Sequence, residues 1–592
     1  MSGKTDGKAV KQEEIKPATA KQSNEVLAVK PTREDLVYVL FLLTNLSLSS
    51  HALQTNVKPF FGKTYGELSF YGGALLSFII FSFALQDRMS VHRNTLEGMS
   101  LLQVTAAVGA RSLSAFVIPY FAEKPTTAAW IVHVVSSFPA LGLGGAVWLH
   151  WTSKFMDEEP TRMGRLTTKV FSCIALVSVV KYLEPFIGNT LLQFVDIPPK
   201  ATLIFLSMTT YTLGITFKPS RSRSPPSSSS PASSAPSSNS DSGAPSLSRS
   251  ITRLSLLMAM FAVYVPPEIP SSLMVQYQRF TPHGFIQIVD NRLSTPATRY
   301  VRVDSSILGE VELKVDGSIG DARDVSAALL EGVKLVYGPK ERRALVIGVQ
   351  SGASAKSLLS SSYNTTIVDA NAVLVSTVQS YFNLPTPDSV ISHDPTIWVP
   401  RYAKQVTGNA GNGKDDKFDV VVHDVFDGGE LPARMYTMEF WSAIGGVLNE
   451  NGVLAVRYVG RPTAVTFKST LNMLRKNFKA CRAFHSNPSD KPLSSTPDEI
   501  AEIVIYCTPS DTLFFTSPSS QSSKLSASAS TILSSLDTRE VDINAVLGDI
   551  SPDKYLLKEE DPAVIRAWGK DGIVDYWRLM REKYPESVWY SY

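Results

Sequence analysis

The chain has 592 residues, 44% of them hydrophobic and 19% charged, with a formal net charge of +3 and a mean hydropathy of +0.02. That length exceeds what one hydrophobic core supports, so several folding units are expected. The small net charge gives no argument for nucleic-acid binding, and three cysteines (Cys173, Cys481, Cys507) without a CxxC pair support neither a zinc site nor a disulfide framework.

Residues 1–34 are polar, lysine-rich and poor in aromatics, which predicts a disordered cytosolic tail. No cleavable signal peptide fits, because the first apolar run begins near Leu36. Apolar segments of membrane-spanning length follow at 36–54, 68–86, 100–121, 127–150, 167–188 and 200–217, so a six-span α-helical bundle is expected over 35–218. Basic residues crowd the tail, the second loop (Arg88, Arg93) and the fourth (Lys154, Arg162, Arg165), although Lys58 and Lys63 blur the first loop. That bias puts the N-terminus in the cytosol. Arg111, Lys181 and Glu184 lie within the spans. Lys181 and Glu184, three apart on one helical face, are expected to neutralise each other.

Residues 219–250, "PSRSRSPPSSSSPASSAPSSNSDSGAPSLSRS", cannot build a core and predict a flexible Ser/Pro linker, open to phosphorylation in the cytosol or O-glycosylation in a lumen. The segment 251–267 contains "LSLLMAMFAVYV", short for a crossing, and reads either as a seventh span or as an interfacial anchor. From 268 to 320, "GFIQIVDN", "RYVRVDSS" and "GEVELKVDG" alternate apolar and polar residues, as a small antiparallel sheet does.

Residues 321–592 carry a different pattern. In "RALVIGVQSGASAKSLLSS" an apolar strand, Ala344–Ile347, runs into a loop bounded by Gly348 and Gly352 and then into a helix start. Strand, glycine turn and helix make the first unit of a doubly wound α/β Rossmann-like domain, in which glycines admit a ligand to the backbone and the helix end offers free N–H groups. "TTIVDAN" puts Asp369 at the end of a second strand, where a carboxylate can accept ribose hydroxyls or simply cap a helix. "VISHDP" puts Asp394 after a third strand. "FDVVVHDVFDGGELP" puts Asp424 and Asp427 after a fourth, in what could also be an ordinary Asp-Gly turn. "GGVLAVRYVG" and "EIVIYCT" read as later strands, 509–536 as a Ser-rich insertion, and the aromatic end "DPAVIRAWGKDGIVDYWRLMREKYPESVWYSY" as helix that covers the sheet or docks a partner chain. Ligands of such sheets bind beyond the C-terminal strand ends, where Asp369, Asp394 and Asp424 all fall.

Over about 275–510 this half resembles the spermidine/spermine synthase family, the aminopropyltransferases on the S-adenosylmethionine methyltransferase fold. The resemblance aligns "GVQSGA", Gly348 to Ala353, with the family's glycine-rich loop, Asp369 with its acid after the second strand, and Asp394-Pro395 with its Asp-Gly or Asp-Ala pair. It implies Asp424 as catalytic base and Asp427 as the partner of the amine substrate. It further implies donor-side roles for Gly348, Ser351, Gly352, Asp369 and Asp394, decarboxylated S-adenosylmethionine as donor, no metal, and a homodimer as a partner to expect. Two features depart from the family: Ser351 stands where it has an aspartate, and "RDVSAALL" lacks its tyrosine and glutamine. The expected function is therefore aminopropyl transfer to a polyamine by a membrane-anchored enzyme held in the lipid bilayer. The alternatives are methyl transfer from S-adenosylmethionine itself and a non-catalytic nucleotide-binding module regulating the bundle. Because the resemblance implies a cytosolic donor, the transferase half is expected in the cytosol, with six spans.

Overall fold

The structure, a computed structural model, describes residues 33–85, 93–121, 124–152, 162–195, 199–216, 272–336, 342–408, 416–426, 431–487, 499–519, 525–548, 554–569, 573–584 and 588–589. The tail up to residue 32, the Ser/Pro linker, the segment 251–267 and Asp427 lie outside the described residues.

The apolar segments fold as α1 (Arg33–Leu85), α2 (Arg93–Val117), α3 (Pro125–Ser136), α4 (Phe138–Thr152), α5 (Arg162–Val195) and α6 (Pro199–Thr216). Helix α1 holds the first two expected segments in one run that bends at Gly62, whose φ of 74° breaks the helical path three residues after Pro59. The fourth expected segment is split into α3 and α4, bent by 56°. Among the described residues one helix, Gly98–Tyr120, is long and apolar enough to cross a bilayer, and the bent pair α3–α4 makes a second such stretch if taken together. Between the helices, Gln103 Nε2 donates to Asn45 Oδ1 at 2.9 Å and to Ser49 Oγ at 2.8 Å, and Asn45 Nδ2 donates to Thr210 Oγ1 at 2.9 Å. The rings of Phe171, Tyr182 and Phe205 point outward and are exposed. Glu184 does not pair with Lys181 as expected. It turns inward to accept from Gln54 Nε2 at 3.0 Å and from the Tyr71 hydroxyl, with His51 Nδ1 at 3.5 Å, while Lys181 lies over the Tyr71 ring. Interhelical polar partners in an apolar surround outcompete a same-helix pair that solvent would screen.

The second half opens with β1 (Leu273–Thr281), β2 (Gly284–Asn291), β3 (Thr298–Val303), β4 (Ser306–Leu313) and β5 (Ile319–Ala322), an antiparallel sheet in sequential order. After α7 (Val325–Leu330) come β6 (Arg343–Ile347), α8 (Ala353–Ser360), β7 (Asn364–Val368), α9 (Ala372–Tyr381), β8 (Ser389–Ile391), α10 (Pro395–Gly408), β9 (Phe418–His423), α11 (Met438–Val447), β10 (Leu448–Gly460), α12 (Val465–Asn477), β11 (Ala480–His485) and β12 (Ala501–Thr508). Helices α13 (Ala527–Leu533), α14 (Ile543–Leu547), α15 (Pro562–Gly569) and α16 (Ile573–Lys583), with the short strand β13 (Glu540–Val541), complete the chain. Within the Ser-rich insertion, α13 packs Ala529 and Leu533 into the core.

The larger sheet runs β13-β11-β12-β10-β9-β6-β7-β8, with β8, β7, β6, β9 and β10 parallel and β12 antiparallel to both its neighbours. Its central parallel strands are mostly apolar, as strands covered by helices on both faces are expected to be. Trp441, Phe440 and Ile444 of α11 fill one face, and Leu358, Val375 and Val378 of α8 and α9 fill the other. The antiparallel register sets Cys481 opposite Cys507, and the two form a disulfide. This corrects the reading of the three cysteines: partners 26 residues apart are matched by strand pairing, which spacing cannot show.

Helix α16 joins the two halves. The carbonyls of Pro59 and Phe60 lie just before the bend at Gly62. The Arg302 guanidinium donates to the first; Trp577 Nε1 (3.0 Å) and Arg581 (2.9 Å) donate to the second. Phe61 stacks on the Trp577 ring, and a side chain at Gly62 would crowd Ser305 of the β3–β4 turn.

Candidate active site

Register fixes the site. Ile347, Val368, Ile391, His423 and Val456 lie side by side across five parallel strands. The next residue on four of them is Gly348, Asp369, Asp424 or Arg457, so these groups line one edge of the sheet. The edge contains the point where strand order reverses, between β6 and β9.

The loop after β6 needs its glycines. Gly348 has a φ of 85°, and a Cβ there would run into the Asp424 backbone carbonyl. Gly352 has a φ of 78° and starts α8. Between them Gln350 is itself left-handed (φ 47°) and donates from Nε2 to the Phe426 carbonyl at 3.2 Å, tying the loop to the chain after β9. Its Oε1 is buried and has no hydrogen-bond partner among the described residues. Ser351 is buried against Gly309 of β4, near the Asp324 carboxylate.

Asp369 accepts from Val349 N–H at 2.9 Å and from Asn371 N–H at 2.8 Å, one on each oxygen, bracing the loop and the start of α9. Each oxygen keeps a further lone pair. Burial pushes its carboxyl above the ordinary carboxylate range, against the pull of those two N–H groups. Asp394 is exposed, and its Oδ1 takes Thr396 N–H at 2.8 Å and Thr396 Oγ1 at 2.7 Å. It lies three residues past the end of β8, where it caps the start of α10 rather than lining the edge.

Asp424 is buried. Ser354 of α8 donates to Oδ2 at 2.9 Å, and Arg457 of β10 reaches Oδ1 at 3.4 Å. Burial raises its pKa above the ordinary value; Arg457 and Ser354 oppose that rise. The Arg457 guanidinium also meets Glu502 of β12 at 3.4 Å and lies over the Phe426 ring. Burial disfavours its charge, but Glu502 and Asp424 outweigh that and hold its pKa above the ordinary range. Arg457, Glu502 and Ser354 were missed in the sequence. Arg457 had a visible signal, a cation inside the apolar run "GVLAVRYVG"; the other two had none. Among the described residues no group of three or more His, Cys, Asp or Glu could hold a metal ion.

Next to Asp424 but on the opposite face, His423 is enclosed by Tyr436, Phe440 and Trp441. Burial lowers its pKa from 6.5 to about 3, so the folded protein holds the neutral ring. Below pH 6.5 the unfolded chain takes a proton that the folded one refuses, and stability falls as pH drops toward 3. His423→Phe should flatten this acid loss by up to about 1.4 kcal/mol per pH unit. Chemical denaturation at several pH values measures it; an unchanged slope would refute the role of this ring.

No family model matches the chain. In sequence it is similar to an N-terminal histidine N-methyltransferase of Emericella nidulans, 28% identical over 324 residues, or 52% of this chain and 56% of that protein. The chain thus spans little more than half the length of that relative. Similar solved structures include a probable spermidine synthase from Corynebacterium glutamicum, 15% identical over 48% of this chain and 94% of that one, with a TM-score of 0.36. They also include a spermidine synthase from Thermotoga maritima (15%, 40% and 73%, TM-score 0.29). Human methyltransferase-like protein 13 in complex with SAH is another (16%, 35% and 89%, TM-score 0.26).

Proposed function

We propose that this chain is a transferase that uses an S-adenosyl donor and methylates a nitrogen acceptor, with a peptide amino-terminal histidine as the acceptor to test first. The observation that carries the reading is the edge of the large sheet, where the glycine loop, Asp369 and Asp424 stand together at the strand-order reversal. The buried Gln350 Oε1 without a partner, the open lone pairs of Asp369 and the N-terminus of α8 fit a polar, cationic nucleoside ligand. The acceptor class is supported by the similarity to the histidine N-methyltransferase.

In this reading Gly348–Gly352 and Asp369 hold the donor. A bound sulfonium donor supplies a methyl carbon activated for in-line attack. Asp424 receives the proton that the acceptor nitrogen loses, and its raised pKa suits it to proton transfer nearer neutral pH than an ordinary carboxylate. Arg457 holds that carboxylate in place. Aminopropyl transfer is the second reading, favoured by the stretch "DVFDGGELP".

The helical half is proposed to lie in a bilayer. Polar side chains such as Asn45 and Gln103 pair between the helices, and Phe171, Tyr182 and Phe205 are left exposed, which supports lipid rather than water around it. For the transferase half, the Cys481–Cys507 disulfide favours an oxidising compartment over the cytosol that the donor's origin suggested. Protease digestion of sealed vesicles decides between the two sides.

Titrating the full chain with S-adenosylmethionine and with its decarboxylated form tests the donor. Tighter binding of the parent compound, with one methyl group gained by a histidine-initiated peptide, is the expected result. Preference for the decarboxylated donor would replace this reading with the second, and binding of neither would end both.

A further inference from the structure

Helix α16 belongs to the last part of the chain, far from the strands that build the site, yet it brings one side chain into it. The Tyr576 ring packs on Phe426 at 4.6 Å, two residues beyond Asp424. Its hydroxyl lies in the electrostatic reach of Glu502, Arg457 and Asp324. The residue is 3% exposed, and the hydroxyl makes no hydrogen bond among the described residues. Packing alone does not require that oxygen, since Phe426, Val459 and Met580 around it would accept a plain ring.

The helix is also held more firmly than a covering helix requires. Trp577 is hydrogen-bonded to the bend of α1, and Tyr584, one residue beyond α16, donates to Glu310 of β4 at 2.8 Å. Both anchors follow Tyr576, one adjacent to it and one two turns on, and hold the helix with its ring on Phe426. Burial keeps its hydroxyl protonated far above neutral pH, so it serves as a neutral donor and acceptor.

We infer that Tyr576 contacts the acceptor: its hydroxyl takes a hydrogen bond from, or gives one to, the acceptor's nitrogen and holds it beside Asp424. This rests on the transferase reading above. It also means that the site is completed by a helix secured on the membrane-side half, so the last turns of the chain are part of the machinery.

The test uses the full chain in detergent, with S-adenosylhomocysteine and a peptide beginning with histidine as probes, each titrated by calorimetry, followed by initial rates with S-adenosylmethionine. In Tyr576→Phe the peptide should bind about ten-fold more weakly, the size of one lost hydrogen bond, and KM should rise with it. Affinity for S-adenosylhomocysteine should stay within two-fold of the parent, roughly the scatter expected of an uninvolved site, and the melting temperature should hold or rise. Unchanged peptide affinity and KM in Tyr576→Phe, with a lower melting temperature only in Tyr576→Leu, would make Tyr576 a packing residue and overturn the inference. If the parent binds S-adenosylhomocysteine but no peptide, the inference fails while the donor reading stands. If it binds neither, the transferase reading itself has failed.

Discussion

Replacing Arg457 with methionine should destabilise the transferase half by about 3–5 kcal/mol, the range for removing one partner of a buried ion pair. The guanidinium is 5% exposed and lies between Asp424 and Glu502, 3.4 Å from each. Methionine fills most of the volume, so the cost is not a cavity. It is the carboxylate left in a low-dielectric site with its counter-ion gone. The pH dependence separates these causes. Without Arg457, the Asp424 carboxyl loses the group that opposes its raised pKa and moves higher still. The penalty should therefore be largest above that pKa and shrink as the pH falls and the carboxyl takes up a proton. Adding Asp424→Asn to the variant should recover about 0.5–3 kcal/mol, as coupled neighbours do. A loss that is the same at every pH, with no recovery in the double variant, would show that Arg457 acts by packing on Phe426 and not by charge.

Asp424→Asn alone should lower turnover by about 10²–10⁴-fold, the usual contribution of a positioned base, while donor affinity changes little. Asparagine keeps the shape and can still accept from Ser354, so the loop and α8 have no reason to move. It cannot take a proton at any working pH. In the parent, kcat/KM should fall as pH drops through the raised Asp424 pKa, because the base becomes protonated. That acid limb should be missing from the residual activity of the variant. The competing account is structural: Asp424 exists to neutralise Arg457. It predicts a lower melting temperature, normal turnover in the folded fraction and an unchanged acid limb. Rates scaled to the donor-binding fraction distinguish the two.

Much of the C-terminal half was legible because its signals are local. An apolar strand followed by a glycine loop and a helix start marks β6 and α8 whatever surrounds them, since φ of 85° at Gly348 excludes other residues at little cost to glycine. The alternation in "GFIQIVDN" marks β2 for the same kind of reason. The acids after β7 and β9 were legible as strand-end residues. Their partners were not, because Arg457 and Glu502 come from β10 and β12, more than thirty residues on. Asp394 and Asp369 look alike in sequence and differ in place. One caps α10 in solvent and the other braces the glycine loop, a difference of two residues in distance from the strand end. Glu184 was misplaced by one-dimensional reasoning in the same way: it turned toward Gln54 and Tyr71, neighbours that no spacing rule names.

The sequence by itself determined where the apolar segments lie, the change from helical to strand periodicity after the Ser/Pro linker, and the glycine loop with its following acids. All of these follow from backbone sterics and burial patterns within a few residues. Only the tertiary structure decided that Cys481 meets Cys507, that Arg457 rather than solvent faces Asp424, and that a helix beginning at Ile573 brings Tyr576 onto Phe426 while holding the bend of α1. Those contacts join residues far apart in the chain. They are fixed by strand register and by the few ways helices can cover a twisted sheet, and neither is written in any one segment.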